Sequence, residues 1–568
     1  MLFAINADVQ PPRIMQPVLA LLVALCPLAA QSAEPPVPGA GTILREVQPV
    51  TRPVPAPTET GLTIEHGNEL PPSAPFLVKS IQFSGNTLID TPTLHALVAD
   101  AEGTSLTLAQ LNERVTRITD YYRRHGYPLA RAILPAQTIQ AGVVRIEVIE
   151  ARFGRVLLDN DGRVSDRLLE ATLSPLQGGQ PISQTALDHS LLLLSDIPGV
   201  VVTATLRPGE AVGTSDLLVN IAPAAAIDGN LVMDNYGNRY TGEMHLGATV
   251  NLNNPLRHGD VLSVSALSSG GALNYGNLAY DSLLNGLGTR AGGSYSTLHY
   301  RLGGSLDPLD AHGTAQVASL WSMHPLVRSR QVNLYGLIQF DQLQLRDRID
   351  TAAIRTDRHL RSGKASLSGD VHDEFLAGAV SAWNVSGTWG RLGFDDAAAQ
   401  SVDGATAQTQ GEFSKWNVSL SRLQGLHPAT SLYLAFSAQW ANGNLDASEK
   451  MIAGGPFTVR GYDTGAISGD CGYLGTVELR HDLFFAAATQ SQYQVVAFVD
   501  SSHVTLNEMS WVAGTNSATL SGAGVGLNWA GSAKWRAKVY VATRLGSTPE
   551  LVASSASTRA WAEVSKGF

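Results

Sequence analysis

Across residues 228–568, apolar and polar side chains alternate in one segment after another. Leu432, Leu434, Phe436, Ala438 and Trp440 alternate with Ser431, Tyr433, Ala435, Ser437 and Gln439. Trp416, Val418 and Leu420 alternate with Asn417, Ser419 and Ser421, and Trp535, Ala537, Val539 and Val541 with Lys534, Arg536, Lys538 and Tyr540. A period of two marks a strand with one apolar face. In a soluble sandwich that face forms the core. In a membrane barrel it meets lipid, with aromatic residues at the interfaces and a wet lumen behind it. Some ~340 residues would make an unusually large sandwich, but at roughly 20 residues per strand and connection they make a barrel of about 16 strands. The barrel is the expected reading, and no helix is expected within it.

The pattern is different before residue 223. Residues 76–83 end in a strand-like alternation closed by the turn Ser84-Gly85-Asn86. Helices are predicted over 91–99 and 108–125, the second because Leu108, Leu111, Val115, Ile118, Tyr121 and Tyr122 recur at helical spacing. Gly126 and Pro128 stop it, and strands follow at 130–134 and Val143–Ile149. The same β-α-α-β-β order then repeats. A strand at Arg155-Val156-Leu157-Leu158 precedes helices over 165–173 and 183–196, with Ser165 and Ser183 as N-caps. Strands over 200–206 and 216–221 complete a second copy of one small α/β module.

The N-terminal 33 residues read as a secretory signal: Arg13, an apolar run from Val18 to Leu25, then small residues at Ala29, Ala30, Ser32 and Ala33, with cleavage expected near Ala33. Leu25 stands where a lipobox before Cys26 would need a small residue, so lipidation is not expected. Cys471 is then left alone, and no intramolecular disulfide can form. Residues 34–75 hold ten of the 28 prolines, which makes them a semi-rigid linker. The stretch 41–48 within it is the most helical in character; a short tethered helix and plain disorder are equally open there. Only 15% of the 568 residues are charged, Gly numbers 55, and the net charge is −10. The composition fits an exported membrane barrel and argues against a general nucleic-acid binder.

One motif stands out chemically. Gly454-Gly455-Pro456-Phe457-Thr458-Val459-Arg460-Gly461-Tyr462 places an arginine among turn-forming residues. In 492–500, Tyr493, Val495, Ala497 and Val499 form the apolar face, so Gln492, Gln494, Phe498 and Asp500 point into the lumen, with Val496 sharing their parity. By the same rule Glu478 and Arg480 face inward, and Val477 and Leu479 outward. If the loop folds into the lumen, Arg460 can meet Asp500 in a charge-assisted, bidentate bond. The alternative is a solvated charge on the outer surface. The residues alone leave both open.

Val459-Arg460-Gly461-Tyr462, Ser468-Gly469-Asp470-Cys471-Gly472, Glu478-Leu479-Arg480 and Phe498-Val499-Asp500 together resemble the outer-membrane transporters of two-partner secretion, the ShlB/FhaC/HecB group, relatives of the assembly protein BamA. The resemblance extends to Gly85-Asn86, Gly126-Tyr127-Pro128, Ser195-Asp196-Ile197-Pro198-Gly199-Val200, Asp234-Asn235-Tyr236-Gly237 and Asn254-Pro255. It implies a transmembrane antiparallel β-barrel of about 16 strands preceded by two periplasmic α/β POTRA domains. The implied organisation is a signal peptide (1–33), a plug helix with a Pro-rich linker (34–75), POTRA domains at 76–150 and 151–222, and a barrel at 223–568. It also implies a lumenal loop around 454–470, carrying Val459, Arg460, Gly461 and Tyr462, held by Phe498 and Asp500 of the barrel wall. Lys566 departs from the pattern, because it sits near the terminal aromatic Phe568 where an apolar residue is usual.

The function implied is an outer-membrane translocator that captures an unfolded exoprotein in the periplasm and secretes it through the barrel. The client would be an adhesin, a cytolysin or a contact-inhibition toxin. POTRA strands around Ala130, Val144 and Val202 would bind it by β-augmentation. Lys534, Arg536, Lys538 and Arg544 would line a polar path. Other expected partners are outer-membrane lipids and the barrel assembly machinery; a monomer is expected, with no nucleic acid. The main alternative is a BamA-like assembly factor, though such proteins carry more POTRA repeats than the two counted here. No Gly-x-Ser-x-Gly or His-Glu-x-x-His sequence occurs, so no enzyme activity, cofactor or metal is expected.

Overall fold

The computed structural model describes residues 37–48, 62–63, 74–139, 141–483, 491–553 and 556–568. The expected signal segment and most of the Pro-rich linker lie outside the described residues.

Among the described residues, sixteen antiparallel strands close into a barrel, from Ile227–Asp234 (barrel strand 1) to Thr558–Gly567 (strand 16). Strand 1 pairs with strand 16 from Asn230↔Gly567 to Asp234↔Glu563, so no sheet edge is left unpaired in the hydrocarbon. The alternation maps onto the two faces: Trp416, Trp440, Val477, Leu479, Val495 and Val499 are exposed, while Glu478, Val496, Phe498 and Asp500 are buried. Lys566 shares the outward face at the periplasmic end. Its stem lies along Trp535, with the ammonium 5.4 Å from that ring and bonded to the Ala533 carbonyl. A long side chain with its head turned back to the interface fits where an apolar one is usual.

Each α/β module is built as its periodicity dictates. In the first, Ser80–Ser84, Val143–Ile149 and Arg131–Ile133 form a sheet with Val143–Ile149 at its centre. Helix Leu108–Arg124 buries Leu111, Val115, Ile118 and Tyr122 against it, and a capping box between Thr107 and Gln110 starts that helix. Residues 76–83 split into two short strands, Phe76–Leu77 and Ser80–Ser84. The helix expected over 91–99 stops at Ala96 and tightens to a 3₁₀ turn, Ala99–Ala101. In the second module Ser183 caps its helix through Ala186 N, whereas Ser165 makes no such bond. The four-stranded sheet of this module carries Leu62–Thr63 of the linker, paired parallel to strand Val200–Pro208.

The second module seats on the periplasmic turns of the barrel. The buried Arg328 guanidinium, at the end of barrel strand 6 (Ala311–Arg328), donates to both Asp196 oxygens at 2.8 Å. Arg330 meets Asp188 at 2.9 Å, and the Asn254 amide donates to the Pro198 carbonyl. Asp196, Pro198 and Asn254 all belong to the motifs quoted above.

Three expectations within the barrel are corrected. Lys534 lies in a periplasmic 3₁₀ turn, Ser532–Lys534, and not on a strand face, because the strand begins at Trp535. A helix does form in this region, Ala397–Ala405, in an extracellular loop where Asp396 caps it through Ala398 N. The lumen is not uniformly polar either. Leu298, Tyr300, Leu343, Leu345, Leu360, Leu392 and Phe413 form an apolar inner wall. Helix Ala40–Val47 covers that wall with Ala40, Ile43 and Leu44. Its N-terminal amide at Ala40 donates to Asp347 at 2.7 Å, and Glu46 accepts from Asn238 at 3.1 Å.

Glu150 ends the central strand of the first module and accepts from Thr87 N (2.7 Å), Leu88 N (2.8 Å), the Thr87 hydroxyl and Tyr122 OH (2.8 Å). Burial alone would raise its carboxyl pKa, but these donors outweigh burial and hold it below the ordinary value. A depressed carboxylate contributes stability above the ordinary carboxylate pKa and loses it as pH falls through its own. Glu150→Ala should therefore cost about 1–3 kcal/mol locally. It should speed hydrogen exchange at the Thr87 and Leu88 amides at neutral pH, and this excess should shrink on acidification; unchanged exchange would refute it.

Candidate functional site

The segment 454–470 leaves barrel strand 11 (Thr430–Ala441) and folds back into the lumen as a loop pinned by a short hairpin, Met451–Ala453 with Ile467–Gly469. Gly454 and Gly455 take φ of +102° and +109°, a region that favours glycine. The turn closes on itself, with Gly455 N donating to Tyr462 O at 3.1 Å. Val459 and Tyr462 are buried in an apolar cluster with Ile467, Leu474, Val504 and Leu520. Gly461 lies flat on strand 15 (Trp535–Arg544): a Cβ there would sit 3.0 Å from Thr543 O and 3.1 Å from Arg544 N, both backbone atoms. Val459, Gly461 and Tyr462 thus press the loop against the wall and fix the direction in which Arg460 leaves it.

Arg460 spans from the loop to strands 12 (Cys471–Leu483) and 13 (Gln492–Thr505). Its Nε donates to Asp500 Oδ2 at 2.8 Å and its Nη2 to Asp500 Oδ1 at 2.7 Å, the two-point geometry of a guanidinium on a carboxylate. Its backbone amide reaches the same Oδ2 at 3.2 Å, and Thr476 Oγ1 donates to Oδ1 at 3.0 Å. Nη1 lies 2.8 Å from Glu478 Oε1, and the other oxygen of Glu478 is held by Arg480 at 2.6 Å. The cationic plane stacks on Phe498 with Cζ 3.3 Å from the ring centroid. Trp561 Nε1, on strand 16, donates to Arg460 O at 2.8 Å.

The tetrad Arg460, Arg480, Glu478 and Asp500 is neutral in sum, and Asp500 has no solvent exposure at all. Such a cluster tolerates burial because each charge faces an opposite one and the carboxylate oxygens are further hydrogen-bonded. Arg460, Phe498 and Asp500 were the residues expected to meet, and they do so in one place. Sequence reasoning missed Glu478 as a second anchor and Trp561 as a clamp on the Arg460 carbonyl. The inward parity of Glu478 was a signal; Trp561 gave none. The loop also reaches strand 1. Tyr236, just beyond it, packs edge-on to Phe457 (5.3 Å) and Trp561 (6.1 Å), and Thr464 donates to Tyr236 O at 2.8 Å. Asn238 donates to both Thr464 O and Glu46, so the loop and the lumenal helix share an anchor.

The three positions expected to bind client are placed differently from one another. Val144 is buried in the central strand of its sheet; Ser80–Ser84 pairs along one side of it, while on the other side Arg131–Ile133 pairs only with residues 147–149 and the Gln137 side chain bonds both backbone groups of Arg145. Ala130 is buried just before the edge strand Arg131–Ile133. Val202 lies in the strand whose outer edge holds Leu62–Thr63. Among the described residues no cluster of His, Cys, Asp and Glu is arranged to hold a metal ion.

Residues 213–529, more than half of the chain, match the family described as haemolysin secretion/activation protein ShlB/FhaC/HecB, and residues 76–151 match the ShlB-type POTRA domain. The heme/hemopexin transporter protein HuxB of Haemophilus influenzae strain 86-028NP is 27% identical over 465 residues, 81% of this chain and 82% of HuxB. The outer membrane transporter CdiB of Dickeya dadantii strain 3937 is 25% identical over 428 residues, 71% of this chain and 72% of that protein. CdiB from Escherichia coli shares the fold, with a TM-score of 0.69 at 24% identity over 91% of this chain and 94% of its own. BamA from Haemophilus ducreyi lacking POTRA domains 1-3 shares it more distantly, at 0.52 and 14% identity over 87% of this chain and 100% of its own. The family match separates transport from barrel assembly where the shared fold does not. The chain belongs to the ShlB/FhaC/HecB family of haemolysin secretion/activation proteins, outer-membrane transporters of two-partner secretion.

Proposed function

We propose that the 454–470 loop is a lumenal latch, and that the buried Arg460–Asp500 pair is the bond that keeps it closed. The observation carrying this is the double hydrogen bond from Arg460 to a fully buried Asp500, reinforced by Glu478 and the Phe498 ring. In this reading the loop shapes the conduit along one wall while helix Ala40–Val47 plugs the other. An extended client passes once the helix has withdrawn, drawn through its tether of linker. The polar inner faces near Lys538 and Arg544 would keep the path wet. The relatives' names differ in cargo, a heme/hemopexin transporter and a hemolysin transporter among them. These names support a client class, an exported polypeptide, which in this reading is taken up unfolded, and not one client.

Client capture is assigned to the edge strand Arg131–Ile133 in place of the buried Val144. A strand added there gains main-chain bonds whatever its side chains. The edge beside Val202 is available only when Leu62–Thr63 has left it, so client arrival and linker release would be coupled there.

Three outcomes are expected. Arg460→Ala and Asp500→Ala, each breaking a buried pair worth on the order of 3–5 kcal/mol, should abolish secretion of the co-expressed client into the medium while the barrel still inserts. Near-normal secretion by both would refute the latch. The Ala132 amide donates to the Thr119 hydroxyl at 3.0 Å in the resting module, and a client strand would take that donor over. Ala132→Pro removes it and should weaken client binding to the purified full chain about tenfold, with the barrel unaffected, whereas equal binding would move the capture site elsewhere. Deleting residues 40–48 should raise single-channel conductance in planar bilayers, whereas unchanged conductance would show that the helix does not block the pore.

A further inference from the structure

Near its extracellular end the lipid-facing surface carries charged residues beside its apolar belt on adjacent strands. On strands 7 (Val332–Ile349), 8 (Ile354–Asp373), 9 (Ala379–Phe394) and 10 (Gly411–His427), the outward apolar belt ends in aromatic residues: Phe340, Trp389 and Trp416 are 63%, 50% and 50% exposed. Trp389 and Trp416 pack edge to face at 5.7 Å. The second module seats on the opposite barrel end, so these strand ends are extracellular. Two residues and about 6.8 Å beyond Phe340 and Trp389, the outward row reads Gln342↔Arg361↔Arg391↔Glu412 in direct cross-strand register.

Arg361 and Arg391 stand directly opposite each other and are both exposed. Like charges so placed repel. Among the described residues neither makes an ion pair; Glu412 faces Arg391 in register without bonding to it. Beyond this row Arg346, Arg348 and Arg355 continue the basic face. Asp357 answers them by bonding Arg348 and lies within electrostatic reach of the other two. Asp395 is engaged by His359 at 2.7 Å. The row nearest the aromatic belt is therefore left with two unneutralised forks.

An apolar groove of about 890 Å³ runs down the lipid face directly beneath. Leu278, Tyr295, Leu320 and Phe340 line it, the missing side chains of Gly293 and Gly363 open it, and Gln342 and Arg361 stand in its wall. A paired guanidinium site at headgroup height, continuous with a groove at acyl-chain height, matches one kind of ligand in both halves. We propose that Arg361, Arg391 and this groove bind a phosphate-bearing glycolipid of the outer leaflet, phosphate between the arginines and one acyl chain in the groove. The assignment rests on placement in the outer membrane and not on the latch.

The test uses the full-length protein in detergent, stripped of native lipid and titrated by native mass spectrometry with diphosphoryl lipid A, fully dephosphorylated lipid A and inorganic phosphate. Heat-modifiable gel mobility confirms that each barrel is folded. R361Q/R391Q should bind diphosphoryl lipid A at least about tenfold more weakly than wild type, and should no longer distinguish it from the dephosphorylated form. Gly363→Leu should weaken both lipids while leaving the arginines in place. A Cβ at that position meets Phe340 at 3.6 Å, ordinary contact, so the barrel should fold. Lys534→Gln, at the periplasmic rim, should behave as wild type. Equal binding of diphosphoryl lipid A by wild type and R361Q/R391Q would overturn the site. Displacement of the lipid by inorganic phosphate of similar affinity would make it a free-anion site and overturn the lipid assignment.

Discussion

A guanidinium taken out of water inside a membrane barrel must find fixed negative charge and spend every donor on it. Arg460 does so: three of its nitrogens meet Asp500 and Glu478, its plane rests on Phe498, and Arg480 balances the second carboxylate. The loop that carries it is threaded through glycines whose backbone conformation or contact distance leaves no room for a side chain. Because the same loop touches strands 12, 13, 15 and 16 and the residues after strand 1, it bridges the barrel closure from inside. The closure itself rests on the pairing from Asn230↔Gly567 to Asp234↔Glu563.

The rest of the lumen complements that fixed point. An apolar inner wall would be a liability in a water-filled conduit, and it is covered by the amphipathic helix Ala40–Val47. The Asn238 amide joins the helix to the loop, so the two obstructions are neighbours with one shared contact. At the periplasmic mouth, the fully buried Arg328 side chain holds Asp196 of the second module. Ion pairs in this chain therefore mark the places where separate elements must be held in a set relation.

Period-two alternation made the barrel, its strand number and the facing of single residues legible. It put Phe498 and Asp500 on one inner face before any pairing was known. Turn chemistry put Arg460 outside the strands, but reach was not legible: which neighbouring strand brings Glu478 beside Asp500 depends on a register that emerges only when the sheet closes. Asp196 and Arg328 lie 132 positions apart and carry no local signature of each other. The helix Ala397–Ala405 was missed because a nine-residue, alanine-rich segment in a loop has no apolar stripe to announce it. Lys534 was placed on a strand because alternation continues across the turn at Ser532–Lys534. The outward arginines were legible in principle, since Arg361 and Arg391 interrupt an apolar face.

The most direct measurement is a double-mutant cycle on Arg460 and Asp500, read by reversible urea unfolding of the barrel in lipid vesicles. If the two side chains act as one buried bond, each single alanine variant should cost about 3–5 kcal/mol. The double variant should then cost little more than either one, leaving a coupling of roughly 3 kcal/mol. Additive losses, with coupling near zero, would contradict the account.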